Sequence, residues 1–460
     1  MRNVRIENIS ITNFKNVKYG TIDLVTKKEF KGNILGLYGQ NGSGKTALID
    51  SISLLKSIMS GQKVQNSFAD LVNIDSNNAS FEFRFSLTND SDIAYALYSF
   101  SLKKVYSDND DSHIKNYFSA IYDEKLSISR YVDNKNVLPK QLLIDTTNSE
   151  TFGPKTKYEL LLNNFKKTEI DVIVAKKLAY KSGRSFIFSN ELLKLVNERC
   201  TDNFILEILN TLKQYAKTNL FILSNKSSAL INFDTLPIFF RIEEKGLNAA
   251  GAIGIPIESY GMIPYSTLKI VEKVISNMNI ILPQLVPGLI ISLKNLGEEI
   301  NANGQKIVKV QLFSNKNSKE IPLKYESDGI KKIVTMLQLL IVIYNNSSVT
   351  VAIDELDSGV FEYLLGEILR IISDNGKGQL IFTSHNLRPL ETLNKAFVAF
   401  TTTNPQNRYI RFINLKPKNN LRDYYYRDII LGEEQAEDVY EKTNNRMISF
   451  AFKEAGKINE

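Results

Sequence analysis

The chain has no tryptophan, one cysteine and two histidines in 460 residues. A lone Cys200 excludes an intrachain disulfide and any CxxC redox or zinc motif. Cys200, His113 and His385 together fall short of the four ligands of a structural zinc site. Carboxylate-held magnesium stays open. Cys200, in KLVNERCTDN, reads as a small helical hydrophobe. No targeting or membrane segment is expected either. MRNVRIENIS has no apolar h-region and alternates like a first strand. The longest apolar run, near KKIVTMLQLLIVIYNN, is too short and too polar at its ends to span a bilayer and reads as a buried helix. A cytoplasmic protein without a membrane partner is expected. Charge of one sign is not in large excess: 57 Lys+Arg against 50 Asp+Glu give +7, which permits an acidic partner or nucleic acid without demanding one. With 43% hydrophobic and 23% charged residues the chain is neither disordered nor fibrous. Its length suggests about two to three domains.

The pattern along the chain is α/β. VRIENISITNF and TIDLV alternate like strands, and NILGLYG is a short apolar strand running into a glycine loop. KTALIDSISLLKSIMS reads as a helix with Leu48, Ile52, Leu55 and Ile58 on one face. ASFEFRFSL and AYALYSFSL form a hairpin around TNDSD. KYELLLNNFKK, NELLKLVNERC, DNFILEILNTLKQYAK and STLKIVEKVISNMN have helical periodicity, so residues 106–285 are expected to be a mainly helical insertion. Within it, GLNAAGAIGIPIESYGMIPYS reads as a glycine-rich loop. GLIISLKNL, KIVKVQLFS and EIPLKYE are strand-like. The order then becomes DGIKKIVTMLQLLIVIYN, VTVAIDE, VFEYLLGEILRIISDN, QLIFTSH, helices alternating with strands, which implies a parallel sheet. AFVAFTT and RYIRFINL are its last two strands, and the polar tail from 416 to 460 is expected to be helical.

GQNGSGKT at 39–46 fits G-x-x-x-x-G-K-[ST], following an apolar strand and opening a helix. Gly39, Gly42 and Gly44, with Asn41 and Ser43 between them, let consecutive backbone N–H groups curl around a phosphate. The helix beginning at Lys45 adds its positive end. Lys45 supplies a charge for the β and γ phosphates, and the Thr46 hydroxyl can ligate Mg2+. In VTVAIDE a buried strand delivers Asp354 and Glu355 at its carboxyl end, the metal carboxylate and the acid that orients or deprotonates the attacking water. ATP and Mg2+ are the expected ligands.

Three further segments resemble the ABC-type ATPases. ESDGIKK at 326–332 resembles their signature motif, which implies that Ser327 and Gly329 contact the γ-phosphate bound to an opposite subunit. LDSG at 356–359 resembles the D-loop, and IFTSHN places His385 where the switch histidine of the superfamily lies. ISITNFKNVKYGTIDL resembles the opening of SMC-like and RecF-like ATPases. The resemblance implies an SMC/RecF-like ABC-type head: a mainly parallel sheet, an N-terminal antiparallel β part and a helical insertion. It implies an N-lobe at 1–105, an insertion at 106–285, a C-lobe at 286–415 and a tail at 416–460. No glutamine after FEFRFSL fills the Q-loop position. Roughly 280 residues separate Lys45 from Ser327, an inserted layout foreign to transporter ATPases.

Within that superfamily the chain resembles the compact AAA-family ATPases of bacterial antiphage defence, such as AriA of the PARIS system and the AbiL-type ATPases. This implies a homodimer or larger homo-oligomer with composite ATP sites. It also implies a separate effector, a TOPRIM nuclease, with no nuclease domain on this chain. An acidic phage trigger, DNA or a DNA-mimicking protein, fits the charge. The alternative is a RecF/SMC-like ATPase that binds DNA in repair or maintenance. NRYIRFINLKPKNNLRDYYYRD gathers Arg408, Arg411, Lys416, Lys418, Arg422 and Arg427 around Tyr424, Tyr425 and Tyr426. It is either a docking surface for such a partner or a solvated strand edge with a helix packed through its tyrosines.

Overall fold

β1 (Asn3–Phe14) buries Val4 and Ile6, then Ile9 and Ile11. The step from Ile6 to Ile9 breaks a strict period of two. The register against β4 (Ala79–Asn89) shifts between Ile6 and Asn8, and this bulge returns the later side chains to the core face. With β2 (Val17–Asp23), β5 (Asp92–Tyr106), β6 (Tyr117–Val132) and β7 (Lys135–Asp145), these strands form an antiparallel sheet in the order β2-β1-β4-β5-β6-β7. On its inner face Phe100 stacks on Phe81 and Phe83, with centroids 5.1 and 6.2 Å away. The structure is a computed structural model that describes residues 2–24, 33–106, 116–224, 235–244, 247–256, 259–412, 420–431 and 438–456.

The second sheet is built on β3 (Asn33–Tyr38). β8 (Leu220–Leu223), β15 (Thr350–Ile353), β16 (Gln379–Thr383), β17 (Val398–Thr401) and β18 (Tyr409–Ile410) complete it in the order β18-β17-β3-β16-β15-β8. Every pairing is parallel except β17 with β18. Alternation divides its side chains between two cores. Leu35, Leu37, Ala352 and Ile381 face α1 (Lys45–Met59) and the antiparallel sheet. Ile34, Val351, Ile353 and Leu380 face the helices α6 (Tyr265–Leu285), α7 (Asp328–Asn345) and α8 (Glu362–Asn375) on the other side. Held between two sheets, α1 buries Ile49, Leu54 and Met59 in addition to the expected stripe. Gln379 locks the layers together: its amide donates to Ile6 O (2.7 Å), and its carbonyl accepts from Ile6 N (3.2 Å) and Thr350 Oγ1 (3.0 Å).

The expectation of a mainly helical 106–285 needs correction. β6 and β7 extend the antiparallel sheet, and helices come only afterwards. They are α2 (Tyr158–Leu161), α3 (Glu169–Ser182), α4 (Asn190–Arg199) and α5 (Asn203–Thr218). The chain then returns to the parallel sheet, where β8 pairs with β15 from Leu220↔Thr350 to Leu223↔Ile353. The glycine-rich segment read as a loop is largely strand. β10 (Leu247–Pro256) pairs with β9 (Thr235–Glu244) residue by residue, and β11 (Gly261–Pro264) joins β13 (Lys306–Lys316). Glycine signals a turn only where no partner strand supplies ladder hydrogen bonds. β12 (Ile290–Ile300) and β14 (Lys319–Pro322), both strand-like in sequence, pair with β13. The short α9 (Pro389–Thr392) lies between β16 and β17, and α10 (Leu421–Leu431) and α11 (Asn445–Gly456) follow β18. His113, Lys416 and Lys418 lie outside the described residues.

Candidate nucleotide-binding site

β3 ends at Tyr38 and the glycine loop turns directly into α1, whose N-cap is Gly44 at φ 99° and whose first turn carries no acid. The positive end of α1 is therefore unshielded. Gly39 is required by packing: a Cβ there would lie 1.8 Å from Thr401 Oγ1. Ser43 Oγ donates to Gln40 O (2.6 Å) and bonds Thr401 Oγ1. Tyr409 OH donates to Gly44 O (3.0 Å). Lys45 Nζ donates to Gly39 O (2.8 Å) and Gln40 O (3.0 Å). Burial lowers the Lys45 ammonium to about 8, while Asp354, Glu355 and Asp357 pull it upward.

The acidic strand meets this loop from β15, one strand beyond the neighbour β16. Asp354 is buried, its N–H donating to Leu223 O (2.9 Å) on β8. Thr383, at the end of β16, ties both acids through one hydroxyl. It donates to Asp354 Oδ1 (2.6 Å) and accepts from Glu355 N (2.8 Å). Glu355 sits at φ 48°, a left-handed conformation uncommon for this residue type. Asp354 Oδ2 is buried without a hydrogen-bond partner among the described residues, an oxygen suited to a cation. Asp357 Oδ2 accepts from the backbone N–H groups of His385 (3.1 Å) and Asn386 (2.9 Å), which fixes the turn after β16.

A cavity of about 510 Å3 is lined by Asn41, Gly42, Ser43, Gly44, Lys45, Thr46, Asp354, Glu355, Thr383 and His385, together with Lys15 and Asn16. Its size falls within the usual range for ligand sites. Nine of the residues expected from the sequence thus converge, with Gly39 packed beneath them. Ser327 and Gly329 do not line this cavity. Ser327 is the N-cap of α7, accepting from Ile330 N (3.3 Å). Gly329 packs against the LDSG turn, where a Cβ would lie 2.2 Å from Gly359 O. Further along α7, buried Lys332 is lowered by desolvation and raised by the charges of Glu355, Asp354 and Asp357.

Sequence reasoning missed Thr383, Thr401 and Lys332. Thr383 lies inside the quoted IFTSHN, but nothing in a strand-end threonine announces two acids from another strand. The basic segment is largely absorbed by the fold. Arg408 is buried and donates to Thr402 O (2.6 Å) and Asn16 O (2.7 Å). Arg411 donates to Val398 O (3.0 Å) and Asp23 O (2.8 Å). Arg422 pairs with Glu391, and Tyr425 stacks on Phe400 at 4.9 Å.

A glycine loop opening a helix under a parallel sheet, a buried lysine and two acids at a strand end define a P-loop ATPase. A helix capped by ESDG before the acidic strand and an antiparallel sheet clasping α1 give it the ABC-type layout. The family described as "AAA domain, putative AbiEii toxin, Type IV TA system" matches residues 34–390, and the chain belongs to it. No curated protein matches. Among solved structures the chain is similar to an Smc head bound to the C-terminal winged-helix domain of ScpA (11% identity, 89% of this chain and 98% of that one, TM-score 0.42). It is also similar to the SMC head domain from Thermotoga maritima (12%, 89% and 99%, 0.36) and to the recombination mediator RecF with ATPrS (13%, 89% and 99%, 0.35). No helix among the described residues is long and apolar enough to cross a membrane.

Proposed function

We propose that the chain is a Mg2+-dependent ATPase that works as the oligomeric sensor or scaffold of an antiphage, abortive-infection system and holds or activates a separate toxic effector, a TOPRIM nuclease. The observation that carries the ATPase reading is the cavity where Lys45, Thr46, Asp354 and Glu355 converge. Lys45 and the loop N–H groups, with the positive end of α1, hold the phosphates. Thr46 and Asp354 hold the metal, for which the unpartnered Asp354 Oδ2 is the fitting donor. A cation held there would neutralise phosphate charge. Glu355, held by the Thr383 hydroxyl, would orient or deprotonate the attacking water, and His385, which lines the same cavity, would act as the switch histidine. Ser327 and Gly329 act on the nucleotide of a second copy, because they stand outside their own cavity. The toxin–antitoxin wording of the family supports an output directed at the host cell rather than at DNA repair. Burial of Arg408 and the backbone hydrogen bonds of half-buried Arg411 engage much of the basic segment within the fold, which weighs against a DNA surface there.

The test is phage challenge of cells carrying this gene alone, its genomic neighbour alone, or both. Protection and growth arrest are expected only with both, and Lys45→Ala or Glu355→Gln should remove them. Full protection from this gene alone refutes the sensor-and-effector reading.

A further inference from the structure

α11 is a formed helix with every residue exposed. All but one of its large apolar side chains share one face, Phe450 (59% exposed) lying outside it. Met447, Ile448, Ala451, Phe452 and Ala455 recur at one- and four-residue steps, which makes one continuous stripe on a helix. Arg446, Ser449 and Lys453 occupy the opposite side. Met447 is 63% exposed and Phe452 78%, an arrangement that water penalises unless something covers it. The helix is tethered close to the nucleotide loop. Val439 is buried, Glu441 N donates to Gln40 Oε1 (2.9 Å), and only Lys442–Asn444 separate this anchor from α11.

The same chain carries an unfilled apolar groove. It lies between the C-terminal halves of α6, α7 and α8 and is lined by Leu285, Leu337, Ile341, Tyr344, Ile368 and Ile371, with a volume of about 220 Å3. Ile371 is 47% and Tyr344 37% exposed at its rim. Leu337, Ile341 and Tyr344 lie at helical spacing along α7, with Ile368 and Ile371 facing them from α8, the kind of trough that accepts an amphipathic helix.

Among the described residues nothing covers the apolar stripe of α11 or the apolar groove, and the two are complementary between copies. We propose that α11 of each protomer docks in the α6–α7–α8 groove of a second copy, a reciprocal exchange with two-fold symmetry. The area suffices. Each buried aromatic contributes roughly 150–250 Å2. Phe452 with Met447 and Ile448, covered twice over together with the groove walls, reaches the ~1,000 Å2 of a specific interface. This contact needs no nucleotide, so it stands or falls apart from the ATPase reading.

The experiment uses full-length, nucleotide-free protein in a Cys200→Ser background. One preparation carries Phe452→Cys, the other a distinguishable tag and Ile371→Cys, and the two are mixed and mildly oxidised. A disulfide-linked heterodimer is expected. The unsubstituted chain should have the solution mass of a dimer, and Phe452→Asp or Ile371→Asp should weaken dimerisation at least a hundredfold while circular dichroism stays unchanged. A monomeric mass for the unsubstituted chain overturns the exchange. So does cross-linking only within a doubly substituted chain, which would place α11 in its own groove, and so does binding of α11 to anionic lipid vesicles with no dimer formed.

Discussion

Replacing Thr383 by valine removes one hydroxyl and nearly nothing else, which makes it the sharpest probe of the acidic strand. In the parent, that hydroxyl donates to Asp354 Oδ1 at 2.6 Å and accepts from Glu355 N at 2.8 Å. Its loss leaves buried Asp354 without this donor, on a side chain whose other oxygen already has no partner among the described residues. A hydrogen bond to a charged acceptor contributes about 1.5–3 kcal/mol. Glu355 loses the bond on its N–H while holding a left-handed backbone at φ 48°, so it relaxes towards commoner conformations and its carboxylate leaves the water-orienting position. If the loss of 1.5–3 kcal/mol falls on the hydrolytic step, kcat drops roughly 10- to 100-fold, at about 1.4 kcal/mol per decade. Steady-state ATPase assays read this, and titration with a fluorescent ATP analogue should show binding within a few fold of the parent, since the glycine loop is untouched. Thr383→Ser restores the hydroxyl and should recover most of the rate. A valine variant within threefold of the parent, or a serine variant as slow as valine, refutes the reasoning.

Nucleotide affinity should fall as pH rises above about 8, because burial lowers free Lys45 to about 8 and phosphate binding requires its charged form. Calorimetry in buffers of different ionisation enthalpy should detect uptake of a proton above pH 8 and none near pH 6.5. Arg408→Gln should lower thermal stability by about 2–3 kcal/mol, since it leaves Thr402 O and Asn16 O without their buried donors, and should leave salt-dependent binding to DNA unchanged. Loss of DNA binding without loss of stability would return that residue to a docking role. Asp328→Arg, at an exposed position beside Ser327, should block hydrolysis but not ATP binding, and mixing it with Lys45→Ala chains should restore some activity. No rescue, with a monomeric mass in ATP, speaks against composite sites.

What could be read from the sequence was local. The glycine loop, Lys45 and Thr46 are contiguous, and the strand before them and helix after them fix their geometry with no help from distant residues. Asp354 and Glu355 were legible for the same reason. The grip that positions them was not, because Thr383 and Thr401 act across strands that neighbour β15 and β3 only after the sheet has formed. The region 106–285 misled because its best periodic segments are helices. The strands β6, β9 and β10 announce themselves weakly, with Asp123 at φ 50° interrupting the alternation of β6 and glycines diluting β10. β8 spans only four residues, and its place beside β15 follows from the packing of α5, whose Tyr215 OH donates to Thr350 Oγ1 at 2.7 Å.

Gly329 was read through resemblance alone, as a residue that meets a partner's phosphate. The fold supplies a second reason for glycine at that position. A Cβ would stand 2.2 Å from Gly359 O, a backbone atom in the turn after the acids, and Gly359 itself is held at φ 73°. The two causes predict different failures. If packing dominates, Gly329→Ala forces the LDSG turn away from α7 and costs about 1–3 kcal/mol, the usual penalty for overpacking. Asp357 would then loosen its hold on the N–H groups of His385 and Asn386, so hydrolysis should fall together with thermal stability, even in single-turnover assays on mixed dimers in which the partner's α7 is unaltered. If contact with the partner's phosphate dominates, alanine should leave the melting temperature unchanged and hydrolysis should recover on mixing with Lys45→Ala chains. The 2.2 Å at which an added Cβ would stand from Gly359 O favours the first outcome. A variant as stable as the parent, yet inactive until mixed, would show that the turn yields more easily than its geometry implies.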